Sequence, residues 1–154
     1  GAVGMTDGNP LLLIIDMINN IAKAALKAEA DEKGQCMMRM MSVVATTNIK
    51  SLNAYHYVVE PAAISRRFEY TLTAKVKKQF RMFDSHMLDP SKVPKVPIPD
   101  IWDITVERVA VVDGHSVVYR PYRDAQGPLV DVSITRVLPW LRAHSASHFE
   151  SQSL

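Results

Sequence analysis

The sequence predicts an α+β fold in which two N-terminal helices pack on a curved antiparallel sheet of about four strands. Three observations carry this. Apolar residues recur at helical spacing in the first third of the chain, and residues 67–82 then alternate polar and apolar. Finally, an Asp113-Gly114 pair separates two Val-rich runs. The chain has 154 residues, 47% hydrophobic and 22% charged, which suits one core of ordinary domain size. We expect a single domain over residues 5–143, counted from Met5 with Gly1–Gly4 as an added leader, and a flexible tail over 144–154.

The first helix starts at Asn9-Pro10, where Asn can cap orphan amides and proline suits the first helical position. It runs to about Ala30, with Leu11, Ile14, Ile18, Ile21 and Ala25 on one face and Asp16, Asn20, Lys23 and Lys27 on another. Gly34 interrupts it within a charged stretch, and Met37, Met38, Met41, Val44 and Ala45 suggest a second helix. Thr46, Thr47 and Asn48 weaken helix propensity beyond that point. Tyr55–Val59 is short and β-prone, and Pro61 stops it.

The long alternating run is the first strand, broken in pattern only at Lys78. Side chains of a strand point alternately to opposite faces, so Phe68, Tyr70, Leu72, Ala74, Val76, Phe80 and Met82 face a core. Arg67, Glu69, Thr71, Thr73, Lys75, Lys77, Gln79 and Arg81 form the opposite, net basic face. Residues 84–100 carry four prolines and read as an extended connection. Trp102, Ile104, Val106 and Ala110 mark a second strand. Asp113-Gly114 ahead of Val117-Val118-Tyr119 marks a two-residue hairpin turn with positive φ at both central positions. The turn residues 124–128 then lead to Val130, Val132 and Ile134 as a fourth strand.

This order of elements over residues 10–140 resembles the cone fold of the nuclear transport factor 2-like superfamily. It is also similar to the extracytoplasmic domain of an inner-membrane assembly component of type IV secretion systems. The resemblance implies helices covering one face of the sheet and a place in a larger assembly.

The single Cys36 excludes an intramolecular disulfide and a multi-cysteine zinc site. It leans toward a reducing, cytoplasmic setting, and an extracytoplasmic domain of an anchored protein would look the same. Leu11–Ile18 is the most apolar segment and falls short of the roughly 20 residues that span a bilayer. No Gly-x-Ser-x-Gly elbow, phosphate-binding glycine loop or His-Glu-x-x-His is present, so the motif-bearing enzyme classes lose support, and no cofactor is implied.

Three groups of residues remain as candidates. Arg67, Lys75, Lys77 and Arg81 offer positive charge to a phosphate backbone, although charged residues also keep exposed strands from pairing. Met37, Met38, Met40 and Met41 form an adaptable stripe too wide for one buried face, which points to a protein partner or a second copy of the chain. Histidines make the third group. His144 and His148 with Glu150 have metal-ligand spacing without further support, while His56, His115 and Asp131 are polar groups a cone-shaped pocket would use, with Asp113 beside His115 as an acid–base pair. The leading expectation is a non-enzymatic protein–protein interaction or assembly module of a secretion-system or virion-type complex. Two alternatives stand beside it, an RNA-binding accessory protein of a virus or mobile element and a small-molecule-binding or enzymatic cone-fold domain.

Overall fold

The computed structural model describes residues 11, 14, 15, 18, 23, 24, 37, 38 and 42–152. Its architecture is α+β, with a three-stranded antiparallel sheet and a long C-terminal helix. In chain order the strands are β1 (Lys23–Ala24), β2 (Met37–Met38), β3 (Tyr70–Val76), β4 (Trp102–Val112), β5 (Ser116–Pro121), β6 (Arg123–Asp124) and β7 (Gly127–Pro128). The helices are α1 (Ala54–Tyr57), α2 (Pro61–Ser65) and α3 (Ile134–Gln152). The main sheet has the order β3-β4-β5, while β1 pairs with β2 and β6 with β7.

The chain divides into two units. One comprises Gly1–Glu69 with Val109–Val118, the other Tyr70–Arg108 with Tyr119–Leu154. In the first, Leu11, Ala54 and Ile64 are buried together, with Ile14, Ile15, Leu52, Val58 and Phe68 against them. Helix α2 begins where the sequence dictates: Pro61 occupies its first turn and the Glu60 carboxylate accepts from the Ala62 amide at 3.2 Å. In the second, Ile104, Val106, Leu129, Val137 and Trp140 form the core, flanked by Tyr70, Trp102, Tyr122, Val132 and Ile134.

The predicted helix over residues 10–30 survives in part. Leu11, Ile14, Ile15 and Ile18 are helical, but Lys23 and Ala24 pair antiparallel with Met38 and Met37. The second predicted helix is absent at Met37 and Met38 for the same reason, since a pairing between distant segments leaves no trace in local periodicity. Residues 42–47 are irregular and Val44 is exposed. There the Thr47 hydroxyl accepts from the Ile49 amide at 3.1 Å, a local bond that competes with a helix. Tyr55 and His56 are helical rather than extended. Burial of Ala54 in the first core overrides their β propensity.

The long strand ends at Val76. Lys78–Phe80 forms a 3-10 turn, so the one break in alternation marks where the strand stops. The chain doubles back through Asp84 (φ 52°) to an isolated bridge between Arg81 and Leu88. The proline-rich connection is not uniformly extended either, because Pro90–Lys92 turns into a second 3-10 segment capped by Asp89. The Asp113-Gly114 turn is as predicted: φ is 52° and 76°, and the His115 amide donates to the Val112 carbonyl at 3.2 Å.

A fourth strand does not form. Asp131 adopts φ 49°, which breaks the extended run and leaves Val132 as a single bridge to Ile104. Leu129 is consequently buried and Val130 exposed. Ser133 then starts α3, its hydroxyl accepting from the Thr135 amide at 3.2 Å. The segment expected as a tail from His144 is helical through Gln152. Ile134, Val137, Trp140 and His144 recur at helical spacing and Val137 and Trp140 are buried, which outweighs both Pro139 and the serines that depress propensity. In place of the expected four-stranded sheet, the main sheet among the described residues has three strands, and the chain adds a long C-terminal helix.

Candidate functional site

The most distinctive surface is the outer edge of β3. Tyr70–Val76 pairs antiparallel with Arg108–Trp102, and β3 lies at the end of the sheet order. The Val109 amide donates to the Glu69 carbonyl at 2.8 Å and the Lys77 amide to the Ile101 carbonyl at 2.9 Å. In an antiparallel ladder, bonded and non-bonded pairs alternate, so Thr71, Thr73 and Lys75 spend their backbone groups on β4. The groups of Leu72, Ala74 and Val76 point away from it. The Arg81 Nε donates to the Val76 carbonyl at 2.7 Å and closes that position. Among the described residues no backbone bond from another segment reaches Leu72 or Ala74.

The core face expected from the alternation is realised only in part: Val76 is buried and Tyr70 half-buried, but Leu72 and Ala74 are exposed while Thr71 and Thr73 of the opposite set are half-buried. Leu72 and Ala74 stand opposite Val106 and Ile104, on the apolar face. Val106 and Ile104 are buried, but Leu72 keeps 45% of its surface exposed and Ala74 is exposed too. Met82, Phe83 and Met87 in the following loop are exposed as well, Phe83 to 99%.

On the opposite face the basic residues meet acids. Lys77 Nζ lies 2.6 Å from Asp100 Oδ2 and only 18% of its side chain is exposed. Lys75 stands across from Asp103 in the ladder and 3.8 Å from Asp131, and Thr71 stands across from Glu107. The hydrogen bond from Lys77, and then that from the Ser133 hydroxyl, hold the Asp100 carboxyl below its ordinary value despite partial desolvation. Asp89 is held low chiefly by the Ser91 hydroxyl. For Asp124, burial pushes upward, and the Gln126 amide and the Arg136 guanidinium together outweigh it. Arg136, at 2.8 Å from Asp124, ties the first turn of α3 to the β6–β7 hairpin.

Of the residues singled out for nucleic acid, Lys75 and Lys77 share the polar face of β3, and Arg81 lies past the 3-10 turn with its guanidinium on the strand's last carbonyl. Arg67 belongs to the other unit and donates to the Ala63 carbonyl at 2.6 Å. Met37 and Met38 form β2, whereas Met40 and Met41 lie outside the described residues, as does Cys36.

The histidines do not converge. His56 is exposed on α1, its ring 4.0 Å from that of Tyr55. His115 faces Glu60 at 3.1 Å rather than Asp113, while Arg66 donates to the Gly114 carbonyl at 2.7 Å, so the hairpin tip is held to the start and end of α2. Asp131 is occupied by Thr105, whose hydroxyl accepts from the Asp131 amide at 3.1 Å. His144 joins an aromatic cluster, 4.7 Å from Tyr70 and stacked at 5.8 Å on Trp140, while His148 is exposed. Among the described residues no group of three potential metal ligands comes together, and no helix is long and apolar enough to cross a membrane.

Periodicity alone marked β3 as a strand but showed neither its position at the sheet edge nor the exposure of Leu72 and Ala74. Strand order depends on pairings across the chain, and Asp100, which pairs with Lys77, and Asp103 and Asp131, which lie near Lys75, are 23 or more positions away from those lysines. No protein-family model, no curated protein and no solved structure matches this chain.

Proposed function

We propose that this chain is a non-enzymatic interaction and assembly module that engages other protein chains through the β3 edge. The observation carrying the proposal is the open backbone at Leu72 and Ala74 beside an exposed leucine. An added strand would gain main-chain hydrogen bonds and cover apolar surface in the same step. The Met-rich segment, with Met37, Met38, Met40 and Met41, supplies a second contact in this reading.

RNA binding through Arg67, Lys75, Lys77 and Arg81 is the rival. Its weakness is electrostatic: the acids facing Lys75 and Lys77 repel a phosphate backbone where the lysines would attract it. Light scattering after size exclusion, at low and high salt and with and without a short mixed-sequence RNA, separates the two. A salt-insensitive oligomer that ignores RNA is expected. A monomer that shifts with RNA only at low salt would replace the proposal with its rival.

A further inference from the structure

Resting on the interaction reading, we infer that the β3 edge receives residues 42–46 of a second copy as an added strand, so that copies join head to tail. Two unfinished pieces of the same chain carry this. One is the edge itself, open at Leu72 and Ala74 and closed at Val76 by the Arg81 guanidinium. The other is the irregular stretch 42–46, which makes no hydrogen bond among the described residues. There Val44 keeps 86% of its surface exposed while Val43 is half-buried. Thr47 ends the stretch, because its hydroxyl is bonded to both the amide and the carbonyl of Ile49.

The two pieces match in length and chemistry. Ser42-Val43-Val44-Ala45-Thr46 is rich in β-branched residues, which favour an extended backbone, and it carries no charge to set against the apolar face of β3. Beside Leu72 and Ala74 it gains main-chain hydrogen bonds, and the valine already facing solvent covers the exposed leucine. Other exposed apolar stretches are less suited. Phe83 and Met87 stand on a loop bonded across itself, the Met82 amide donating to the Met87 carbonyl at 3.0 Å. Val96 and Ile98 lie among Pro94, Pro97 and Pro99, which have no amide to offer. Leu138 and Leu141 belong to α3, whose backbone bonds are made within the helix. A joint of about five residues falls short of the roughly 1,200 Å² of a stable interface, so association depends on concentration. Strand and edge are different surfaces, so each copy uses both, and growth runs past the pair into a ring or an open filament.

The test is a mixing experiment on the full chain, followed by analytical ultracentrifugation. Val44→Asp spoils the added strand and leaves the edge, whereas Leu72→Asp spoils the edge and leaves the strand. Both positions are exposed, so each variant keeps its fold, which circular dichroism checks. The unsubstituted chain is expected to associate beyond the dimer, and each variant alone to associate at least about tenfold more weakly, because a carboxylate then meets apolar surface. An equimolar mixture of the two variants should form a one-to-one complex and nothing larger. As a second readout that needs no variant, an acetylated peptide of residues 42–48 added to the dilute chain should slow amide exchange at Leu72 and Ala74. Undiminished association of Val44→Asp, a mixture without a complex, or no protection by the peptide overturns the strand exchange and leaves the interaction reading standing. A strict monomer at all concentrations overturns both.

Discussion

Leu129 and Val130 are adjacent, similar in chemistry and opposite in environment, which makes them a sharp test of the fold. Continued alternation from Val132 would turn Val130 inward and Leu129 outward. The left-handed Asp131 reverses this, leaving Leu129 with 0% of its surface exposed and Val130 with 42%. Leu129 lies in the core with Val106 and Trp140, and its amide donates to the Tyr122 carbonyl at 2.8 Å. Truncating a fully buried leucine to alanine costs about 3 kcal/mol, from the lost transfer energy plus the cavity left behind. For a chain of this length each kcal/mol moves the melting temperature by about 2–4 °C, so Leu129→Ala should lower it by about 6–12 °C. Val130→Ala removes an exposed side chain and should change stability by less than about 0.5 kcal/mol. Thermal melts followed by circular dichroism, with urea titrations for the free energies, measure both. Equal losses, or a larger loss at Val130, would refute the placement of residues 129–134.

Further outcomes follow from the ends of α3 and β3. Ser133→Ala removes the hydroxyl that accepts from the Thr135 amide and should cost about 1 kcal/mol in urea unfolding, with Ser133→Asp retaining most of it. Asp100 has a folded pKa below its ordinary 3.8, so its contribution is complete above that value and is lost as pH falls through the lower folded one. Lys77→Met removes the leading cause of the depression and should flatten the stability change between neutral pH and pH 3, by less than about 1 kcal/mol because Asp100 is 39% exposed and screened by solvent. An unchanged acid limb in that variant would sink the assignment of the Lys77–Asp100 pair.

The legible parts of this fold are those specified locally. The Asp113-Gly114 turn needs only two residues that tolerate positive φ and is plain in the sequence, whereas alternation marked β3 as a strand without showing that Leu72 and Ala74 stay exposed. The strand was expected to run on to Met82 with Phe80 and Met82 facing the core; instead it stops at Val76 and Met82 is exposed, because a 3-10 turn over Lys78–Phe80 ends the extended run. What the pattern could not convey was order in space. β1 and β2 pair Lys23 with Met38 and Ala24 with Met37 through two residues each, too short for any periodicity to register. Val130, Val132 and Ile134 imitate a strand because a single backbone reversal at Asp131 carries no hydrophobic signature. Helix α3 was obscured by Pro139 and by Ser145, Ser147 and Ser151, whose low propensity is offset by the burial of Val137 and Trp140. The candidate surface was half legible: Lys75 and Lys77 stand out in the sequence, whereas Asp100, Asp103 and Asp131 beside them become relevant only once the fold is known.

Residue-resolved amide exchange across a dilution series tests the central claim most directly. In dilute solution the amides of Thr71, Thr73 and Lys75 should be protected by β4 while those of Leu72 and Ala74 exchange freely. At high concentration Leu72 and Ala74 should gain protection in step with self-association. Protection at Leu72 and Ala74 that is already present at the lowest concentration, or that never rises with concentration, would contradict an edge held open for another chain.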